Sequence, residues 1–129
     1  MPIFVSMKAD QTAPIVINNP TVDDSIAVTS AVDCKEMAEV RHEIDRIDRL
    51  LVKLIGERVS YIEAAGRIKP CADEVRLRWR IEDVVTKVLD AAVQEGLSKR
   101  IAEPVWRELI DRCIDHEHEI WAREHPEEK

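Results

Sequence analysis

The chain has 129 residues, 35% of them charged, with only three Gly and few aromatic side chains (three Trp, one Tyr, one Phe). This balance, rich in Leu, Ile, Val, Ala, Glu and Arg, favours helices over a β-sandwich or barrel, and the length suits one domain. The net charge of −7 argues against general binding to nucleic acid or to an anionic membrane. It leaves room for a local cationic pocket, since a cleft can carry the opposite sign to the surface around it.

Residues 1–34 read as an N-terminal extension. They are rich in Val, Ile, Thr, Ser, Asn, Asp and Pro, contain one Lys and no Arg, and show no helical stripe. The expectation is a mobile segment or a short extended arm over Ala13–Pro20. The opening residues lack a basic stretch followed by a sustained apolar run, so no signal peptide is expected. Nor does any stretch reach the roughly 20 apolar residues of a membrane span. Cys34, Cys71 and Cys113 are odd in number and widely spaced, which fits reduced thiols and a cytoplasmic setting.

From about Lys35 to Lys69 apolar residues recur in steps of three and four at Val40, Ile44, Ile47, Leu51, Leu54, Val59, Ile62 and Ala65. That spacing predicts one buried helix face, ended by Pro70. A helix of this length runs to about 50 Å, longer than a compact domain of this size, and is expected to pack along a partner chain. After a loop at 70–73, a second helix is predicted from about Glu74 to Glu95, with Ile81, Val84, Val85, Val88, Leu89 and Ala92 on one face and Gly96 as its C′ residue. Ser98 then caps a third helix running to about Glu124, its stripe formed by Trp106, Leu109, Ile110, Cys113, Ile114, Ile120 and Trp121. Pro104 is tolerable there only in the first turn or at a kink. The expected organisation is the extension, a helical domain over 35–125 and a tail at 126–129.

The informative residues are charges set inside apolar stripes. Arg58 and Lys69 lie eleven positions apart, which leaves them about 20° apart around the helix axis. Both therefore project from the apolar face, where two like charges are costly unless an anion answers them. Arg41 lies seventeen residues before Arg58 and is rotated from it by about 100°. It suits a pocket in a partner chain better than the same pocket. Glu117 interrupts the third stripe one turn after Cys113, and Arg80 opens the buried part of the second helix. A bland reading competes: long cationic side chains snorkel to water from a stripe edge, and Arg58 paired with Glu117 would be a structural salt bridge. Pattern alone leaves both readings open.

Other candidates carry less. His116 and His118 flank Glu117 but point to different sides of a helix, so no metal site is expected. Cys113 lacks an activating base and reads as a buried structural thiol. No GxGxxG, P-loop, CxxC or nucleophile elbow occurs.

The run Val40-Arg41-His42-Glu43-Ile44-Asp45-Arg46-Ile47-Asp48, then Glu57-Arg58, then Ala64-Ala65-Gly66-Arg67-Ile68-Lys69 resembles the first helix of the all-helical chorismate mutase family, and the likeness extends over about residues 34–124. Asp33-Cys34, Met37 to Arg41, and Ile114, Glu117 and Trp121 look most like the branch containing isochorismate-pyruvate lyase.

The resemblance implies a three-helix, all-α fold in an intertwined homodimer with two sites. Arg58, Lys69 and Arg80 would hold a dicarboxylate from one subunit and Arg41 would reach in from the other, with Ile81, Cys113 and Ile114 also in the substrate pocket. Lys69 and Glu117 take the catalytic positions. No metal or cofactor is implied, and neither nucleic acid nor membrane is an expected partner. The reaction implied is the pericyclic conversion of chorismate to prephenate, or in the lyase branch the release of pyruvate from isochorismate to leave salicylate. A non-catalytic helical dimer that senses a dicarboxylate is the alternative of another class. Glu117 stands where the family has Gln or Glu facing the ether oxygen, and an ionised Glu would repel that oxygen. Leu77 and Ile81 stand where several mutases carry acidic residues, and so depart from the best-known mutase pattern.

Overall fold

A computed structural model describes residues 23–128, and the readings made for residues 1–22 fall outside it. The described residues form three α-helices, α1 (Met37–Ile68), α2 (Arg78–Glu95) and α3 (Lys99–Glu124), joined by short turns and without strands, the all-α architecture expected. No helix among them is long and apolar enough to cross a membrane. The chain divides into two compact units, Met1–Leu51 and Val52–Lys129. The long α1 contributes its first part to one and its second part to the other.

In the first unit, α1 starts behind a turn that leaves its first amides without intrahelical acceptors. Glu39 reaches back and accepts from the backbone N–H of Lys35 (2.7 Å) and Glu36 (3.0 Å), the carboxylate half of a capping box. One turn on, Glu43 Oε2 accepts from the N–H groups of Val28 (3.1 Å) and Thr29 (2.9 Å), while its Oε1 takes the Arg46 guanidinium at 2.7 Å. Arg49 grips the Asp24 carboxylate with two hydrogen bonds of 3.0 Å. Residues 24–29 are thus fastened to α1. The Arg46 hydrogen bond, then the Thr29 amide, holds the Glu43 carboxyl below its ordinary value.

The second unit is built on an α2–α3 hairpin. Gly96 adopts a left-handed conformation (φ 73°) that side-chain-bearing residues disfavour, and its N–H returns to Val93 O at 3.3 Å, closing α2. Ser98 then caps α3 by accepting from Arg100 N at 3.1 Å. The core between them is formed by Val75, Val85, Ile110, Ile114 and Trp121, with Ile81, Val84, Leu89 and Trp106 packed around it. Arg107 spans the hairpin with two 2.9 Å hydrogen bonds to Glu82, the bidentate geometry a guanidinium favours.

The boundaries differ from expectation in three places. α1 ends at Ile68, since Lys69 precedes Pro70 and is steered out of the helical region. α2 begins at Arg78, four residues later than its composition suggests, because residues 72–74 form a separate 3-10 turn that delivers Val75 into the core. Pro104 lies inside α3, in its second turn, where the Arg100 carbonyl gains no helical donor. The apolar stripe of α1 also departs from a buried face: Ile44, Ile47, Leu51 and Leu54 are all exposed in the single chain, Leu54 by 60%.

Candidate active site

The end of α1 is brought against α3 through Gly66. A Cβ at that position would stand 3.0 Å from Ile120 Cγ2 and 3.2 Å from the Glu117 carbonyl oxygen, so a residue without a side chain permits the approach. Three residues on, Lys69 still closes a helical hydrogen bond to Ala65 O (3.0 Å). Its carbonyl, followed by Pro70, accepts instead from the indole N–H of Trp121 at 2.9 Å. The stripe of α3 carries Ile110, Cys113, Ile114, Glu117, Ile120 and Trp121, all buried, as its periodicity predicts.

Between the second part of α1 and the α2–α3 hairpin lies a cavity of about 480 Å³, within the range of small-molecule sites. Arg58, Lys69, Arg80, Ile81, Cys113, Ile114 and Glu117 all face it. The chain therefore brings together every site residue predicted from its sequence except Arg41, which belongs to the first unit and is exposed there. Tyr61 and Trp79 line the cavity as well. Sequence reading missed both: Trp79 stands off the apolar stripe of α2, whereas Tyr61, seven residues after Leu54 and four before Ala65, lies at the edge of the α1 stripe, where its spacing could have marked it.

The cations are held in different ways. Lys69 Nζ lies 2.7 Å from Glu117 Oε2. The ammonium meets this oxygen outside hydrogen-bonding angles, so Oε2, in a side chain only 5% exposed, has an ion-pair partner and no hydrogen-bond donor. Arg58 Nη1 donates to the Cys113 thiol at 3.4 Å, so the salt bridge considered between Arg58 and Glu117 is not formed. Arg80 stands at the lip, paired with Asp83 at 2.6 Å. Asp83 also accepts from Lys87, and these two hydrogen bonds, that of Lys87 first, hold its carboxyl below the ordinary value. Among the described residues lining the cavity the charged ones are Arg58, Lys69, Arg80 and Glu117, three cations against one carboxyl. The remaining wall is mainly apolar: Ile62, Ala65, Val75, Leu77, Val84 and Ile110. Behind the site, His116 Nε2 meets Glu63 Oε2 at 2.7 Å, tying α3 to α1.

Fold and cavity define an all-helical protein with an apolar-walled, cation-lined pocket. Residues 40–118 match the chorismate mutase type II family, and the chain belongs to that enzyme family. It is similar to the isochorismate pyruvate lyase of Pseudomonas aeruginosa, at 28% identity over 91 residues, which cover 70% of this chain and 90% of that protein. It is also similar to a bifunctional chorismate mutase/prephenate dehydratase of Aquifex aeolicus, at 31% identity over 90 residues. That match covers 67% of this chain and 25% of the relative's length.

Proposed function

We propose that the protein is a chorismate mutase that works as a homodimer, rearranging chorismate to prephenate without a covalent intermediate. The observation that carries this reading is the charge of the cavity: three converging cations answer the two carboxylates of a substrate whose ring the apolar wall can cover. In the rearrangement the ether carbon–oxygen bond breaks as a carbon–carbon bond forms, and negative charge grows on the departing oxygen. The cavity assists by holding the enolpyruvyl arm folded over the ring and by aiming donors at that oxygen.

Donor shape suggests the roles. Arg58, with its planar fork, suits two-point binding of a carboxylate, and Arg80 at the lip steadies the ring-bound portion. Lys69 offers a compact charge to the ether oxygen and a nearby carboxylate. Glu117, buried beside Lys69 on the α3 wall of the cavity, faces the ether oxygen from the opposite helix. Arg41 completes the site from the partner subunit. The exposed α1 stripe supports such a dimer, since Ile44, Ile47, Leu51 and Leu54 would leave water when a second copy packs along the helix.

A second reading, isochorismate-pyruvate lyase, is favoured by the apolar patch that Leu77 and Ile81 place in the wall. It is favoured also by the match to 90% of the length of the lyase relative. There a ring hydrogen passes to the enolpyruvyl group as the carbon–oxygen bond breaks, giving pyruvate and salicylate. The same cations and Glu117 would serve. Supplying each substrate separately tests the proposal: prephenate from chorismate supports the mutase, salicylate and pyruvate from isochorismate alone the lyase, and no turnover of either rejects both. In that last case, thermal stabilisation by a bicyclic dicarboxylate mimic would leave a metabolite-sensing dimer as the surviving reading.

A further inference from the structure

Lys69 is gripped at two ends by one face of α3. Glu117 and Trp121 are one turn apart and share that face. The first meets the lysine's Nζ at 2.7 Å, and the second donates its indole N–H to the lysine's own carbonyl at 2.9 Å. The carbonyl needs that donor. It lies just past the end of α1, where carbonyls lose their helical partners, and the next residue, Pro70, has no N–H to turn back. Trp121 is only 5% exposed, so its indole N–H must itself find an acceptor. Its ring is fixed from the far side by His125, stacked at 4.3 Å between centroids, whose Nδ1 lies 2.9 Å from the Trp121 carbonyl oxygen.

We infer that Trp121 is a positioning residue, which sets the placement of the Lys69 ammonium by locking the lysine's backbone. The inference rests on the reading of this cavity as a mutase or lyase site for its kinetic consequence, but not for its structural content. Without the indole hydrogen bond, Lys69 is held on its N-terminal side by Ala65 O (3.0 Å) and is left to swing about the Pro70 junction. Its ammonium then samples positions about 1 Å or more from the place the reaction needs, a displacement worth one to two orders of magnitude in rate.

The sharpest test replaces Trp121 with β-(3-benzothienyl)alanine, which keeps the bicyclic shape and lacks the N–H; Trp121→Phe serves as the simpler companion. Two readings are taken. The first is the NMR signal of the Lys69 ε-carbon, assigned by its disappearance in Lys69→Met. It is expected at a distinct shift in the native protein and near the value of a free lysine in the variant. The second is turnover of chorismate and isochorismate, where kcat is expected to fall by about tenfold while KM stays within about twofold. A Lys69 signal that does not move overturns the inference, whether or not the protein turns over either substrate. An unchanged kcat in the benzothienyl variant of an active enzyme overturns it too. A native protein inactive on both substrates rejects the proposed function alone, and the Lys69 signal still decides the role of Trp121.

Discussion

In the proposed reaction, Glu117 is the residue on which the chemistry of the cavity would turn. It is a carboxyl among apolar neighbours, 3% exposed as a residue, with a lysine ammonium 2.7 Å away. A side-chain donor held at this position would stabilise a developing oxyanion. Glu117→Ala should therefore lower kcat by about 10²-fold, while Glu117→Gln, which keeps a donor in the cavity, should retain most of the activity. Initial rates of the two variants check this, and an unchanged rate in Glu117→Ala would remove Glu117 from the reaction. Lys69→Ala removes the other half of the pair. Turnover should drop by about 10²–10³-fold, with the loss in kcat rather than in folding, as circular dichroism would verify. Arg58 and Lys69 were legible in the sequence because a charge on an apolar stripe conflicts with burial. Trp79 was not, since an aromatic off the stripe reads as ordinary surface until the fold places it on a cavity wall; Tyr61, seven residues after Leu54, was within reach of the same spacing argument.

At the level of the helices, two contacts set how α1, α2 and α3 meet. The first is the approach at Gly66, where a Cβ would press on Ile120, a buried side chain, and on the backbone oxygen of Glu117. Gly66→Ala gains up to about 1 kcal/mol in helix propensity and loses about 1–3 kcal/mol to overpacking. A net loss of up to about 2 kcal/mol is expected in denaturant unfolding, with a larger fractional loss of turnover because Glu117 and Lys69 are pushed apart. The second is the fork between Arg107 and Glu82. The hydrogen bonds from Arg107 hold the Glu82 carboxyl below its ordinary 4.5, so the stabilisation is present above that value and is lost as pH falls through the depressed folded one. In thermal melts between about pH 3 and 7, the native protein should exceed Glu82→Gln at neutral pH, and the gap should close in acid; a constant gap would show that the fork contributes nothing through ionisation. The existence and order of the three helices followed from hydrophobic period and from Pro70, Gly96 and Ser98. The start of α2 did not, because the turn at 72–74 and the helix behind it share a helix-forming composition and only the burial of Val75 separates them.

For the whole molecule, the decisive matter is what covers the exposed side of α1. In the proposed intertwined dimer each site would take Arg58, Lys69 and Arg80 from one copy and Arg41 from the other. Arg41→Ala and Lys69→Ala should each abolish turnover alone. In a mixture allowed to exchange subunits, half the dimers pair one of each, and one site in each such dimer keeps all its native cations. Activity should return to roughly a quarter of the native level, as two-fold symmetry requires. Sedimentation of both variants as dimers, with no recovery on mixing, would show that Arg41 serves no partner's site. Leu54→Asp should weaken association by setting a charge on the stripe that a second copy would cover.

Taken by itself, the sequence determined the helical class, the apolar faces and the anomaly of two cations on one of them, because side-chain period and charge burial are local consequences of residue order. It also carried the likeness of residues 34–124 to the mutase family. Only the tertiary structure decided that Glu117 meets Lys69 rather than Arg58, that Arg58 turns to Cys113, and that Trp121 reaches back to the carbonyl before Pro70. These pairings join residues about fifty positions apart, and the distance across which they form is set by how closely α1 approaches α3 at Gly66, which no spacing along the chain records.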